Sequence, residues 1–198
     1  MNGTRERLLN AAQELIEEGG YGSASVAAIA SRAGLAAGTL YRHFGSKQEL
    51  FVEVFRSVCD REVRAMRAAA VAMPAEASGV ERLETVFAVF AERALRRRRL
   101  AWALLAEPVD PLVDAERLAY RRRYAALVAE VLRAAIDAGE LPEQDVELTA
   151  AALVGGCGEA LVGPLAPVGP GPRVSDVLGA LRAFVRKAVG SGEPVSVR

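Results

Sequence analysis

Gly38-Thr39-Leu40-Tyr41-Arg42-His43-Phe44-Gly45-Ser46-Lys47 packs hydroxyls, an imidazole and two cationic groups into one short segment. Leu40 and Phe44 stand four apart, the spacing that puts two side chains on one face of a helix. Thr39, Tyr41, Arg42, His43 and Lys47 are left to face elsewhere, and these are the residue types that hold phosphate oxygens. Gly45-Ser46 ends the short helix. Ser46-Lys47-Gln48-Glu49 then reads as a capping box, the Ser46 hydroxyl and the Glu49 carboxylate each accepting from an orphan backbone amide at the start of a new helix.

Upstream, the spacing predicts a first helix with Thr4 as N-cap and Leu8, Ala12, Leu15 and Ile16 on one face, stopped by Gly19-Gly20. A second follows Ser25, turns Val26, Ile29, Ala30 and Ala33 inward and ends at Gly34. The third spans about 37–44. A helix, a glycine-containing turn and a short second helix make the helix-turn-helix pattern, whose second helix enters the major groove of DNA. Downstream, a fourth helix is predicted from Lys47 to about Ala72, before Met73-Pro74. At 1.5 Å per residue it spans roughly 40 Å, long enough to leave a small N-terminal domain.

Beyond Pro74, helical periodicity continues over about 79–97, 99–106, 112–138, 145–162 and 175–189. Glu107-Pro108, Gly139-Glu140-Leu141-Pro142 and a Pro/Gly-rich loop at 163–173 separate these helices, and 190–198 reads as a loose tail. No stretch alternates convincingly between apolar and polar residues, so the expected fold is all-α. The expected domains are residues 1–46, carrying the helix-turn-helix, and residues 47–198, a helical domain.

Composition narrows the function. With 198 residues and 52% apolar content, the chain can bury a genuine core, which excludes disorder and fibre. Lys+Arg and Asp+Glu are 25 each, so any nucleic-acid affinity must come from local asymmetry. Such asymmetry exists, because 19–48 contains no acidic residue but holds Arg32, Arg42, Lys47 and the one histidine, His43. Cys59 and Cys157 lack any metal-ligand or disulfide spacing, so no metal and no cofactor is expected, and a reducing cytoplasm is the expected location. No run of about 18 uncharged apolar residues without proline occurs, so neither secretion nor membrane spanning is expected. One histidine, no clustered ligands, no Gly-rich phosphate loop and no serine nucleophile motif argue against an enzyme.

Thr4 to Ile16, Ser25 to Gly34, Gly38 to Phe44 and Lys47 together resemble the DNA-binding domain of the TetR family of bacterial regulators. The remaining chain resembles the family in pattern: Glu107-Pro108-Val109-Asp110-Pro111, a long helix ending at Ala138-Gly139-Glu140-Leu141, and two final amphipathic helices. The resemblance implies a two-fold dimer that binds a near-palindromic double-stranded operator. It also implies repression relieved when a small molecule enters the C-terminal domain. Position by position, it gives Tyr41, Arg42, His43 and Lys47 to phosphates and leaves Ala37, Gly38 and Thr39 nearest the base edges, with Ser25 as one more contact. The chain departs from the family pattern at Ala36-Ala37, where a capping hydroxyl and a longer polar residue are commoner. Base selection is therefore expected to rest on Thr39, backbone approach at Gly38, Arg42 and groove shape.

Phe87, Phe90, Trp102, Tyr120, Tyr124 and Cys157 are either the lining of an apolar effector cavity or ordinary core. Arg96-Arg97-Arg98-Arg99 follows an amphipathic helix, so the run is expected to complement that helix's C-terminal dipole and face solvent, as is Arg121-Arg122-Arg123. Ala150-Ala151-Ala152, Gly155-Gly156 and Gly158 permit close helix approach, and Val177, Leu178, Leu181, Phe184, Val185 and Ala188 form a wide stripe. Together these resemble the family's dimer-forming four-helix bundle, within about 145–162 and 175–189. The alternative function is a helical protein-interaction module whose helix-turn-helix no longer touches DNA.

Overall fold

A computed structural model describes residues 2–107 and 110–190. Met1, the Pro108-Val109 pair of the 107–111 segment, and the expected tail from 191 onward lie outside the described residues. Among the described residues there are nine α-helices, one 3-10 turn and no strand, so the fold is all-α as expected. In chain order they are α1 (Asn2–Gly19), a 3-10 turn (Tyr21–Ser23), α2 (Val26–Arg32), α3 (Gly38–His43) and α4 (Lys47–Val71). Then come α5 (Gly79–Arg96), α6 (Arg98–Leu105), α7 (Pro111–Asp137), α8 (Val146–Leu165) and α9 (Val174–Ala188).

Several helix ends differ from expectation for local reasons. Thr4 lies inside α1, which starts at Asn2, so Thr4 is not its N-cap. Ser25 does cap α2, its hydroxyl accepting from the Ala28 amide at 3.1 Å. At α4 the Ser46 hydroxyl accepts from the Glu49 amide at 3.1 Å, but the Glu49 carboxylate takes the Gly45 amide, at 3.0 Å, rather than that of Ser46. The box is thus present with its return bond displaced by one residue. α8 runs to Leu165, past its expected end, with Pro164 inside it.

The chain divides into two packing units. The first draws on 2–61, 94–107, 110–120 and 165–170. Its core includes the fully buried Leu8, Ile16, Ile29, Leu40, Leu50 and Leu100. Arg97, Arg98 and Arg99 belong here, and they are not the solvated run that the sequence suggested. Arg97 forms a two-pronged ion pair with Glu17, both contacts at 2.6 Å. Arg98 donates to the Ala166 carbonyl and Arg99 to the Gly19 carbonyl, each at 2.7 Å. Arg99 thereby serves a carbonyl that the C-terminal turn of α1 leaves without an intrahelical donor. Only Arg96 of the four is exposed. Arg121, Arg122 and Arg123 are all exposed, in line with expectation.

The second unit draws on 62–93, 121–164 and 171–190 of the described residues. Met66, Leu83, Leu132, Leu153 and Leu161 are fully buried in it. Glu84 is buried there too and accepts from Arg186 at 2.7 Å, an ion pair that ties α9 to α5. Such a carboxylate needs its partner, because an unpaired buried charge costs several kcal/mol, on the order of 3–5.

Candidate nucleic-acid interface

The local sequence builds the reading helix by burying one face and leaving the other in water. Leu40 is 0% and Phe44 4% exposed, the inward pair that their spacing predicted. Gly34 supplies the left-handed turn after α2, at φ 64°, which an L residue adopts only under strain. Ala37 caps α3 with no side-chain hydrogen bond, as the absent hydroxyl implied. Ala36, Ala37, Gly38, Tyr41 and Arg42 are exposed, whereas His43 and Lys47 are half-buried. Tyr41 at 57% exposed is a large aromatic residue with its hydroxyl available to a phosphate.

Thr39 lies elsewhere than a base-reading residue on an open face would. It is 7% exposed, and its hydroxyl accepts from Arg42 Nη2 at 3.0 Å. The two side chains therefore act as one group, Thr39 orienting a guanidinium whose remaining donors stay exposed. Ser25 is exposed at the start of α2, and its hydroxyl, already an acceptor for its own helix, keeps its proton to donate.

The charge around this face is more selective than the sequence suggested. Arg32 is engaged by Glu18 at 2.8 Å and by Glu14 at 3.3 Å, so its charge is spent inside the unit and adds little field outside. Arg5 stacks over the Phe44 ring at 4.9 Å and pairs with Glu53 at 2.7 Å. Arg7 caps the other end of the motif by donating to the Ala33 carbonyl. Lys47 has its ammonium over Tyr21 at 4.8 Å and over Phe51 at 5.1 Å. Burial against these rings pushes its pKa below the usual lysine value. Phe51 stands one helical turn after Lys47, a spacing that puts two side chains on one helix face. Tyr21 lies far upstream, and nothing in the sequence pointed to it.

The six candidate effector residues fall into both units. Phe87, Phe90, Tyr124 and Cys157 belong to the second, where the Phe90 and Tyr124 rings pack tilted at 59° with centroids 5.6 Å apart. Phe87 and Cys157 are buried there, and burial pushes the Cys157 thiol up to about 12, which makes it an inert packing group. Trp102 and Tyr120 belong to the first unit. Tyr120 is buried, with its hydroxyl donating to Asp60 at 2.7 Å and its ring edge-on to Phe55. An apolar recess in that unit is lined by Ile16, Tyr21, Phe51, Phe55, Ala103, Leu104 and Val113, and none of the six candidates contributes to it. Among the described residues no group of three or more His, Cys, Asp or Glu could hold a metal ion.

Residues 8–54 match the model of the bacterial regulatory proteins of the tetR family, and residues 76–160 match that of the tetracyclin repressor-like C-terminal domain. The chain belongs to the TetR family. The motif geometry described above thus lies within the N-terminal TetR match. That membership places it among transcriptional regulators rather than enzymes. The regulator UidR of Escherichia coli K12 is 41% identical over 64 residues, which are 32% of this chain and 33% of UidR. The activator FasR of Mycolicibacterium smegmatis is 42% identical over 65 residues, 33% of this chain and 30% of FasR. These alignments span about a third of the curated TetR relatives' length.

Solved structures extend the fold over nearly the whole chain. The fatty acid degradation regulator FadR of Bacillus halodurans has a TM-score of 0.75 at 22% identity, covering 98% of this chain and 97% of its own. FadR of Bacillus subtilis, solved with stearoyl-CoA, has a TM-score of 0.75 at 20% identity, covering 95% and 99%. A TetR-like regulator from Rhodococcus sp. RHA1 reaches 0.67 at 27% identity, covering 95% and 97%.

Proposed function

We propose that this TetR-family chain is a homodimeric transcriptional repressor that leaves its operator when a small molecule binds the domain from residue 47 onward. The reading rests on one observation above all: Tyr41 and Arg42 exposed, with His43 and Lys47 half-exposed, over the buried pair Leu40 and Phe44, inside the matched DNA-binding segment. Tyr41, His43, Lys47 and Ser25 hold phosphates, which fixes register without reading sequence. Ala37 and Gly38 let the start of α3 approach the base edges closely, and Thr39 aims Arg42 at them.

The dimer forms through α8 and α9. By length and composition α8 could cross a membrane, yet less than a third of its apolar stretch is buried within the chain. We read the exposed remainder as a face that a second copy covers, since it carries the alanines and glycines that allow close helix approach. The effector is a small molecule with an apolar part. Stearoyl-CoA, held by the Bacillus subtilis regulator of the same fold, is the first compound to try.

Footprinting on the DNA upstream of the gene, with and without stearoyl-CoA and other ligands bearing an apolar chain, tests the whole reading. Protection of a near-palindrome, lost on ligand addition, is expected. An intact dimer that retains no fragment from a genomic DNA selection would instead establish the protein-interaction module.

A further inference from the structure

Lys47 is a half-buried cation set against two aromatic rings that themselves form a pair. Tyr21 and Phe51 have ring centroids 4.2 Å apart, and the Lys47 ammonium lies 4.8 Å from one and 5.1 Å from the other. Two elements converge to build this arrangement: the 3-10 turn supplies Tyr21, and successive turns of α4 supply Lys47 and Phe51. Tyr21 is itself fixed from two sides. Its backbone amide donates to Glu107 Oε2 at 3.1 Å, and its ring lines the apolar recess beside Ala103, Leu104 and Val113. Burial, with the nearby Asp110 carboxylate second, raises its phenol pKa, so it stays a neutral, electron-rich ring.

From this geometry we infer that Tyr21 and Phe51 form a cation–π seat that positions the Lys47 ammonium for an operator phosphate. The inference rests on the assignment of Lys47 to phosphate under the proposed function. A free lysine side chain loses rotamer entropy when it is pinned by a ligand. A lysine already held against two ring faces has lost part of that freedom before DNA arrives. The rings cover one side of the ammonium. Its half-exposed remainder keeps N–H donors for an anion, because –NH3+ has three. The seat also explains how burial of Lys47 is tolerated, as the ring quadrupoles offset part of the lost hydration. Tyr21 and Phe51 are positioning residues here, acting on DNA through Lys47.

The test is a double-mutant cycle read as affinity for one duplex operator fragment at fixed salt. Lys47→Ala, Tyr21→Leu, Tyr21→Phe and Phe51→Leu are compared, together with Tyr21→Leu and Phe51→Leu each combined with Lys47→Ala. Lys47→Ala should weaken binding, Tyr21→Leu and Phe51→Leu should each weaken it about three- to tenfold, and Tyr21→Phe, which keeps the ring, should bind like the parent. In the Lys47→Ala background the two ring substitutions should have no further effect. A loss of folded protein would weaken that background equally, so an undiminished effect there overturns the seat. Equal affinity of Tyr21→Leu and the parent, or tighter binding by Tyr21→Leu, overturns it too. If Lys47→Ala itself binds normally, the phosphate assignment fails first, and the seat has nothing to position.

Discussion

At the scale of single residues, the proposed DNA face separates groups that hold from groups that aim. In that proposal Tyr41 and Lys47 hold. Tyr41→Phe should weaken binding to all operator sequences alike, and Lys47→Ala should also reduce the slope of log affinity against log salt by about one, the loss of a single neutralised phosphate. Fluorescence anisotropy over a salt series checks both, and an unchanged slope for Lys47→Ala would contradict its contact. Thr39 aims, because its buried hydroxyl holds Arg42. Thr39→Val keeps the shape and releases the guanidinium, so it should lower affinity for the operator roughly three- to tenfold, the effect of about 1 kcal/mol, while binding to random duplex stays the same. Equal losses on both DNAs would place Thr39 in general folding instead. The residue types at this face were legible in the sequence because a short amphipathic helix announces its own inward pair. The Thr39–Arg42 bond was less so, since a threonine can sit on either side of that boundary. The neutralisation of Arg32 by Glu14 and Glu18 was hidden because it joins two helices.

At the scale of elements, caps and cross-helix clamps set stability, and they differ in how far sequence reveals them. The Ser25 cap was legible, since N-caps depend on neighbours only a few residues away. Ser25→Ala should cost about 1 kcal/mol and Ser25→Gly only a few tenths, as read by urea unfolding. The start of α1 was misplaced because Thr4 has a capping side chain but nothing local forbids one more half-turn before it. The arginines after α5 were misread for a different reason. Their partners Glu17, Gly19 and Ala166 are remote in sequence, so a basic run next to a helix end looks solvated until the tertiary fold is known. The Glu17–Arg97 clamp makes a pH prediction. The Arg97 hydrogen bond is the largest influence on Glu17 and holds its carboxyl below the usual carboxylate range, against the opposing effect of burial. The folded pKa is thus lower than the unfolded one, so the stabilisation is complete above the ordinary carboxylate pKa and is lost as pH falls through the folded value. Arg97→Ala should therefore destabilise the protein modestly at neutral pH, by less than about 1 kcal/mol for a partly exposed pair. The difference from the parent should vanish in strong acid. A difference that persists there would assign the effect to lost packing of the Arg97 stem.

At the scale of the whole molecule, the proposed repressor needs two reading heads, since a single short helix reads too few base pairs. Dimeric helix-turn-helix proteins place their heads about 34–36 Å apart, one turn of DNA. The covering of α8 by a second copy is what the glycines make testable. A Cβ built on Gly156 meets the Phe184 ring at 3.1 Å, so Gly156 serves packing between α8 and α9 of one chain. A Cβ on Gly155 meets nothing within 4 Å, and Leu148 on the same helix is 68% exposed. Gly155 therefore has no intramolecular reason to be small, and a glycine inside a helix costs about 1 kcal/mol relative to alanine. In the proposed dimer a close partner supplies that reason. Gly155→Arg should leave the fold of one chain intact or even stabilise its helix, while placing a long charged side chain where the second copy packs. Sedimentation should then show monomers at concentrations where the parent is dimeric, with circular dichroism unchanged and operator affinity reduced by at least a hundredfold, because each half-site is bound alone. Gly156→Ala should do the reverse, disturbing Phe184 and thermal stability more than assembly. A Gly155→Arg protein that remains fully dimeric would remove α8 from the interface.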